Sequence, residues 1–188
     1  IDQLECSNYP NKSKLIDFAK TITTPRNDES DPWLASRPMV DLRDVVLDYY
    51  YNPLTKGSNS IKALLPAILN SCEFLKNKYS NPISKINLTS LNFDSNFKWF
   101  KTSDHRVINP YKLLPPIFDE LGPSKTVDFI SGLKSISDGG AALAAYSKLQ
   151  FVDMSTEERE TIKKSLLKYC ELDTLAMVML YEHLKTFI

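Results

Sequence analysis

Ser155-Thr156-Glu157-Glu158 followed by Leu167-Lys168-Tyr169-Cys170-Glu171-Leu172-Asp173-Thr174-Leu175-Ala176-Met177-Val178-Met179-Leu180-Tyr181-Glu182-His183-Leu184 is the stretch that decides the fold. A Ser three residues before a Glu forms a capping box, in which each side chain satisfies a backbone N–H of the other residue at a helix start. The apolar positions that follow recur at helical spacing, so the sequence predicts one long helix running to about residue 185. Tyr169 and Asp173 stand at i and i+4 and therefore leave that helix on one face, one turn apart.

Upstream, Ser137-Asp138-Gly139-Gly140 precedes an Ala-rich helix over residues 141–150, whose small side chains allow close helix packing. Asn109-Pro110 and Pro115-Pro116 punctuate a loop. Residues 80–101 are rich in Asn, Ser, Pro and Phe without a steady period, and are expected to form an extended, partly ordered insertion with room for a β-hairpin. Its aromatic cluster, Phe93, Phe97, Trp99 and Phe100, fits either buried packing or, with Lys98 and Lys101, the stacking of single-stranded bases.

Ser60 is a good N-cap for a helix over residues 61–69, where Pro66 predicts a kink or an early stop, and a second helical pattern follows over residues 71–79. Pro38-Met39-Val40-Asp41-Leu42 reads as a short strand entering a helix over residues 43–51. Asp41 at that junction suits an N-cap better than a ligand. Residues 12–21 have the spacing of a short amphipathic helix, and residues 23–32 read as a loop. The fold class expected is mainly α, with one short strand and one hairpin.

The 188 residues suffice for one core but not two. With 43% hydrophobic and 24% charged residues the composition is that of a globular protein. Lys and Arg total 23 and Asp and Glu total 23, so no global positive field draws in a polyanion, and any nucleic-acid binding must be local. Cys6, Cys72 and Cys170 are odd in number and far apart, which excludes a disulfide framework and a zinc pattern and suits a cytoplasmic protein. No stretch has the length and apolarity of a membrane span. The chain opens at Ile1 without a Met, as a fragment would.

Spacing alone allows the Tyr169/Asp173 pair to be a half-buried Tyr beside a solvated Asp. The full string around the pair resembles the third motif of tyrosine-type DnaQ-like 3′–5′ exonucleases, ribonuclease D among them. Val40-Asp41-Leu42, the run from Asn52 to Pro66, Asn109-Pro110-Tyr111-Lys112-Leu113-Leu114-Pro115-Pro116, Ile136-Ser137-Asp138-Gly139-Gly140-Ala141-Ala142 and the Tyr-Cys-Glu-Leu-Asp-Thr string together resemble a bacterial family, domain of unknown function 2779. That family is itself similar to the ribonuclease H-like exonucleases.

The resemblance implies an α/β parent fold, of which residues 1–188 are the C-terminal part with an insertion at about 80–135. It implies hydrolysis of nucleic acid from a single-stranded end with Mg²⁺ or Mn²⁺, Asp173 as a metal ligand and Tyr169 as the group that orients the attacking water. Asn8-Tyr9-Pro10-Asn11-Lys12-Ser13 resembles a remnant of the second motif, with Asn11 where the family has an acid. An amide oxygen can bind a cation but brings no charge to offset it. The first Asp-x-Glu pair is absent: no Asp in the chain has a Glu two positions later. The isolated chain is therefore expected to be inactive. A non-catalytic nucleic-acid-binding or protein-interaction module is the competing expectation, and a scaffold for an upstream RecB/Cas4-like nuclease region is a third.

Overall fold

The computed structural model describes residues 1–25, 32–103, 106–114 and 139–188. His105, Pro115-Pro116 and Ser137-Asp138 lie outside these residues. By internal contacts the chain divides into two compact units, Ile1–Val45 and Val46–Ile188.

In the first unit, α1 (Asp2–Glu5) and α2 (Lys12–Ile22) pack together, and Asn11 precedes α2 with a left-handed backbone (φ 65°) and no side-chain cap. The strand expected at residues 38–42 does not form. Met39 donates its N–H to the Ile22 carbonyl at 2.9 Å, but Met39 and Val40 are exposed, and among the described residues no second segment completes a ladder. An isolated extended segment leaves its remaining peptide groups to water and so has no sheet to join. Asp41 instead accepts the Arg43 N–H at 2.8 Å at the start of α3 (Leu42–Tyr49), the capping role its position suggested.

The second unit is built on α4 (Ile61–Ser71) and α7 (Thr156–Lys185), which pack against each other. Helix α4 is apolar on nearly every side: Leu64, Leu65, Ala67, Ile68 and Leu69 are all buried, as befits a central helix. Along α7 the buried positions Ile162, Tyr169, Leu172, Ala176, Met179 and His183 step by threes, fours and one seven, a seam down one side that the also buried Thr161 and Leu180 widen. Helices α5 (Glu73–Tyr79) and α6 (Gly139–Phe151) flank α7. The capping box forms as expected, with the Ser155 hydroxyl accepting the Glu158 N–H and the Glu158 carboxylate accepting the Ser155 N–H. Glu182 ties α5 to α7 by accepting from Lys78 at 2.5 Å and from the Tyr79 hydroxyl at 2.9 Å.

Pro66 does not stop α4, which continues to Ser71. A proline has no N–H, so the carbonyl four residues earlier, that of Lys62, loses its helical donor. The Asn109 side-chain amide donates to it, at a long 3.4 Å. One turn on, the Asn70 amide oxygen accepts the Val107 N–H at 3.1 Å. These two contacts lay residues 106–114 along α4.

Those residues include one side of the only strand pair among the described residues, β1 (Thr102–Ser103) against β2 (Arg106–Val107), antiparallel and just beyond the stretch where a hairpin was expected. Residues 80–100 are mostly irregular, held by Trp99, which is 1% exposed and meets Phe93 and Phe97 edge-on at 4.6 and 4.8 Å. The aromatic cluster is a small core. No described helix is long and apolar enough to cross a membrane.

Candidate functional site around Asp173

The site forms where the middle of α7 meets the segment laid along α4. Asn109 accepts the Tyr111 N–H at 3.1 Å and so caps the 3₁₀ turn Pro110–Leu113. Pro110 supplies a preset φ at its first position. The turn packs on both α4 and α7 and drives Tyr111 inward until it is 3% exposed. Its hydroxyl donates a hydrogen bond to Oδ1 of Asp173. Burial, then the hydrogen bond and the charge of Asp173, hold the Tyr111 phenol well above the usual tyrosine range, in its neutral, donating form.

Tyr169, one turn before Asp173 on α7, is 6% exposed, and its ring lies 6.0 Å from that of Tyr111 at an angle of 51°. Lys62, in the first turn of α4, places its ammonium 5.3 Å from the Tyr111 ring centre and 5.1 Å from that of Tyr169. Both distances are within reach of cation–π attraction. Two phenols, one carboxylate and one ammonium therefore meet at one place, carried by three separate segments of chain.

The pairing of Tyr169 with Asp173 on one helical face is as the spacing required. Glu171, two residues from each, faces elsewhere: its Oε2 accepts from the Asn92 amide at 2.6 Å, which anchors the irregular segment to α7. Asn11 belongs to the first unit, exposed at the head of α2. Tyr111, Lys62 and Asn109 were given no role from the sequence. The signal that points to them is indirect: Pro66 inside a helix leaves a carbonyl needing a donor, and Asn109-Pro110 is a capped turn able to supply one.

Among the described residues, no three or more His, Cys, Asp or Glu side chains converge to hold a metal ion. Among the described residues Asp173 is the carboxylate at this place, and one of its oxygens is engaged by Tyr111. These residues do not form a complete two-metal centre by themselves, for which several anionic ligands are needed.

At the far end of the α7 seam, His183 is 4% exposed, and its Nε2 lies 2.9 Å from the Tyr50 hydroxyl. Its Nδ1 has no partner among the described residues, and burial lowers its pKa below the usual histidine value. The three cysteines are unpaired, Cys72 buried and Cys6 and Cys170 exposed. Comparison with protein-family models, curated proteins and solved structures finds no match to this chain.

Proposed function

We propose that this chain is the C-terminal portion of a metal-dependent 3′–5′ exonuclease-like nuclease of ribonuclease H-like α/β fold, inactive as an isolated polypeptide. The observation that carries this proposal is the meeting of Tyr169 and Asp173 on one face of α7 with a phenol and an ammonium brought against them from other segments. In this reading Asp173 is one anionic ligand of an Mg²⁺ or Mn²⁺ ion, whose role is to offset charge on a phosphodiester, and Tyr169 orients the water. The remaining carboxylates come from outside the described residues, which by themselves support no metal-dependent step. The nucleic-acid end is the substrate, and a RecB/Cas4-like region upstream is compatible with it.

To test it, the polypeptide completed at its N-terminus is assayed on a 3′-ended single strand with Mg²⁺ or Mn²⁺. Hydrolysis should be lost in Asp173→Ala and absent from the 188-residue chain alone. Activity that survives Asp173→Ala refutes the assignment.

A second reading, a non-catalytic nucleic-acid-binding or protein-interaction module that has lost its carboxylates, is favoured by the lack of converging acids among the described residues and by the amide at Asn11. Calorimetric titration of the completed protein with Mn²⁺ separates the two, because only the first predicts heat of binding that depends on Asp173.

A further inference from the structure

Lys62 is the one charged group of the site that neither the sequence motifs nor the proposed chemistry uses. Its ammonium lies over two tyrosine rings, and no described carboxylate comes within ion-pair distance of it. The rings attract the cation through their faces but cannot neutralise it. It stands in the first turn of the eleven-residue α4, where the helix dipole adds potential of the same sign. Its side chain is only part-buried, so a ligand can reach it from solvent.

The two tyrosines define what such a ligand can use. At 3% and 6% exposure their faces are closed to a stacking base, so the site offers a point charge and not an aromatic platform. A lysine ammonium is a compact, rotatable donor set that suits a phosphate oxygen and reads no base edge. Asp173 brings the opposite charge to the same place through its hydrogen bond with Tyr111. Without a cation, it repels a phosphate that Lys62 attracts.

We propose that Lys62 is the phosphate-contacting residue of this site, and that its ligand is the sugar–phosphate backbone of a single-stranded nucleic acid, bound without regard to sequence. This rests on the nucleic-acid reading above but requires neither metal nor hydrolysis.

The test is the anisotropy of labelled single-stranded oligonucleotides of different base composition with the 188-residue chain in EDTA, across a tenfold range of salt. Lys62→Met keeps most of the apolar stem; it should weaken binding roughly five- to tenfold at low salt, equally for every composition, and flatten the log–log salt dependence by about 0.7, one single-strand phosphate contact. Lys62→Arg should restore both. Asp173→Asn should tighten metal-free binding, opposite in sign to Lys62→Met.

An unchanged salt slope in Lys62→Met, a loss confined to one base composition, or failure of the wild-type chain to bind at low salt overturns the proposal. Thermal melts of both lysine variants show whether a loss reflects misfolding. If so for Lys62→Met, the Arg variant's slope decides alone: it should match wild type, and a flattened slope overturns the proposal. Lys62-dependent binding in EDTA alongside hydrolysis that ignores Asp173 leaves this inference standing and removes the catalytic assignment. The reverse pattern removes this one alone.

Discussion

Asp173 flanks the buried seam of α7 and His183 lies in it, and their surroundings treat them in opposite ways. At Asp173 the seam is partly open, a buried phenol donates to the carboxylate, and an ammonium shares the two neighbouring rings. The helix there carries charge to a place solvent can reach. At His183 the seam is closed: Tyr50 and Phe187 meet the imidazole edge-on at 5.2 and 5.0 Å, and one ring nitrogen has no partner among the described residues. A polar side chain with built-in partners and access is a candidate for function, whereas one whose charged form is disfavoured by burial belongs to packing. Between them the buried Ala176, Met179 and Leu180 hold both ends in register.

That contrast is broken most severely by emptying the seam. Leu172→Ala removes a side chain that is 0% exposed beside Asp173 and should cost about 2–5 kcal/mol, read as a lower midpoint in urea unfolding. A change below ~1 kcal/mol would mean that the seam does not carry the fold.

Tyr111→Phe sharpens the polar end. It deletes the hydroxyl that Asp173 accepts from and should cost about 1–2 kcal/mol at neutral pH. The pH dependence has a definite sign. The folded-state pKa of Tyr111 is raised above its ordinary 10.0, so its contribution is complete below about pH 10 and is lost as the pH climbs past that value. Part of the alkaline fall in melting temperature should therefore disappear in Tyr111→Phe, and a further part belongs to Tyr79, whose phenol is raised by burial and by Glu182. An alkaline limb identical to wild type would contradict the assigned hydrogen bond.

The smallest effect is expected at the buried His183 end. Protonated His183 would carry two N–H donors and have a partner for only one. Because its folded-state pKa is lowered, its contribution is complete above about pH 6.5 and erodes as the pH falls below it. His183→Leu should change stability by about 1 kcal/mol or less at neutral pH and shallow the loss of melting temperature on acidification. An acid limb as steep as that of wild type would show that the imidazole is not neutral in the fold.

How much was legible beforehand follows the range of the interactions. Helix α7, its Ser155/Glu158 box, the Ser60 cap, the Asp41 cap and the shared face of Tyr169 and Asp173 all depend on residues within a turn or two of one another, and each appears as expected. The strand at residues 38–42 fails for the complementary reason: alternation gives a segment the capacity to pair but supplies no partner. The stop at Pro66 fails because an amide 43 residues later in the sequence, on Asn109, takes up the carbonyl that the proline leaves free.

The sequence by itself determined that α7 is one long capped helix and which pair on it could address one ligand, since both are consequences of a 3.6-residue period and a local cap. Only the tertiary structure decided that Tyr111 closes on Asp173, 62 residues away, and that Lys62 lies over the rings of both Tyr111 and Tyr169. Those contacts exist because α4 and α7 bury their apolar faces together and the 3₁₀ turn is trapped against both. No local spacing encodes which distant segment will be caught there.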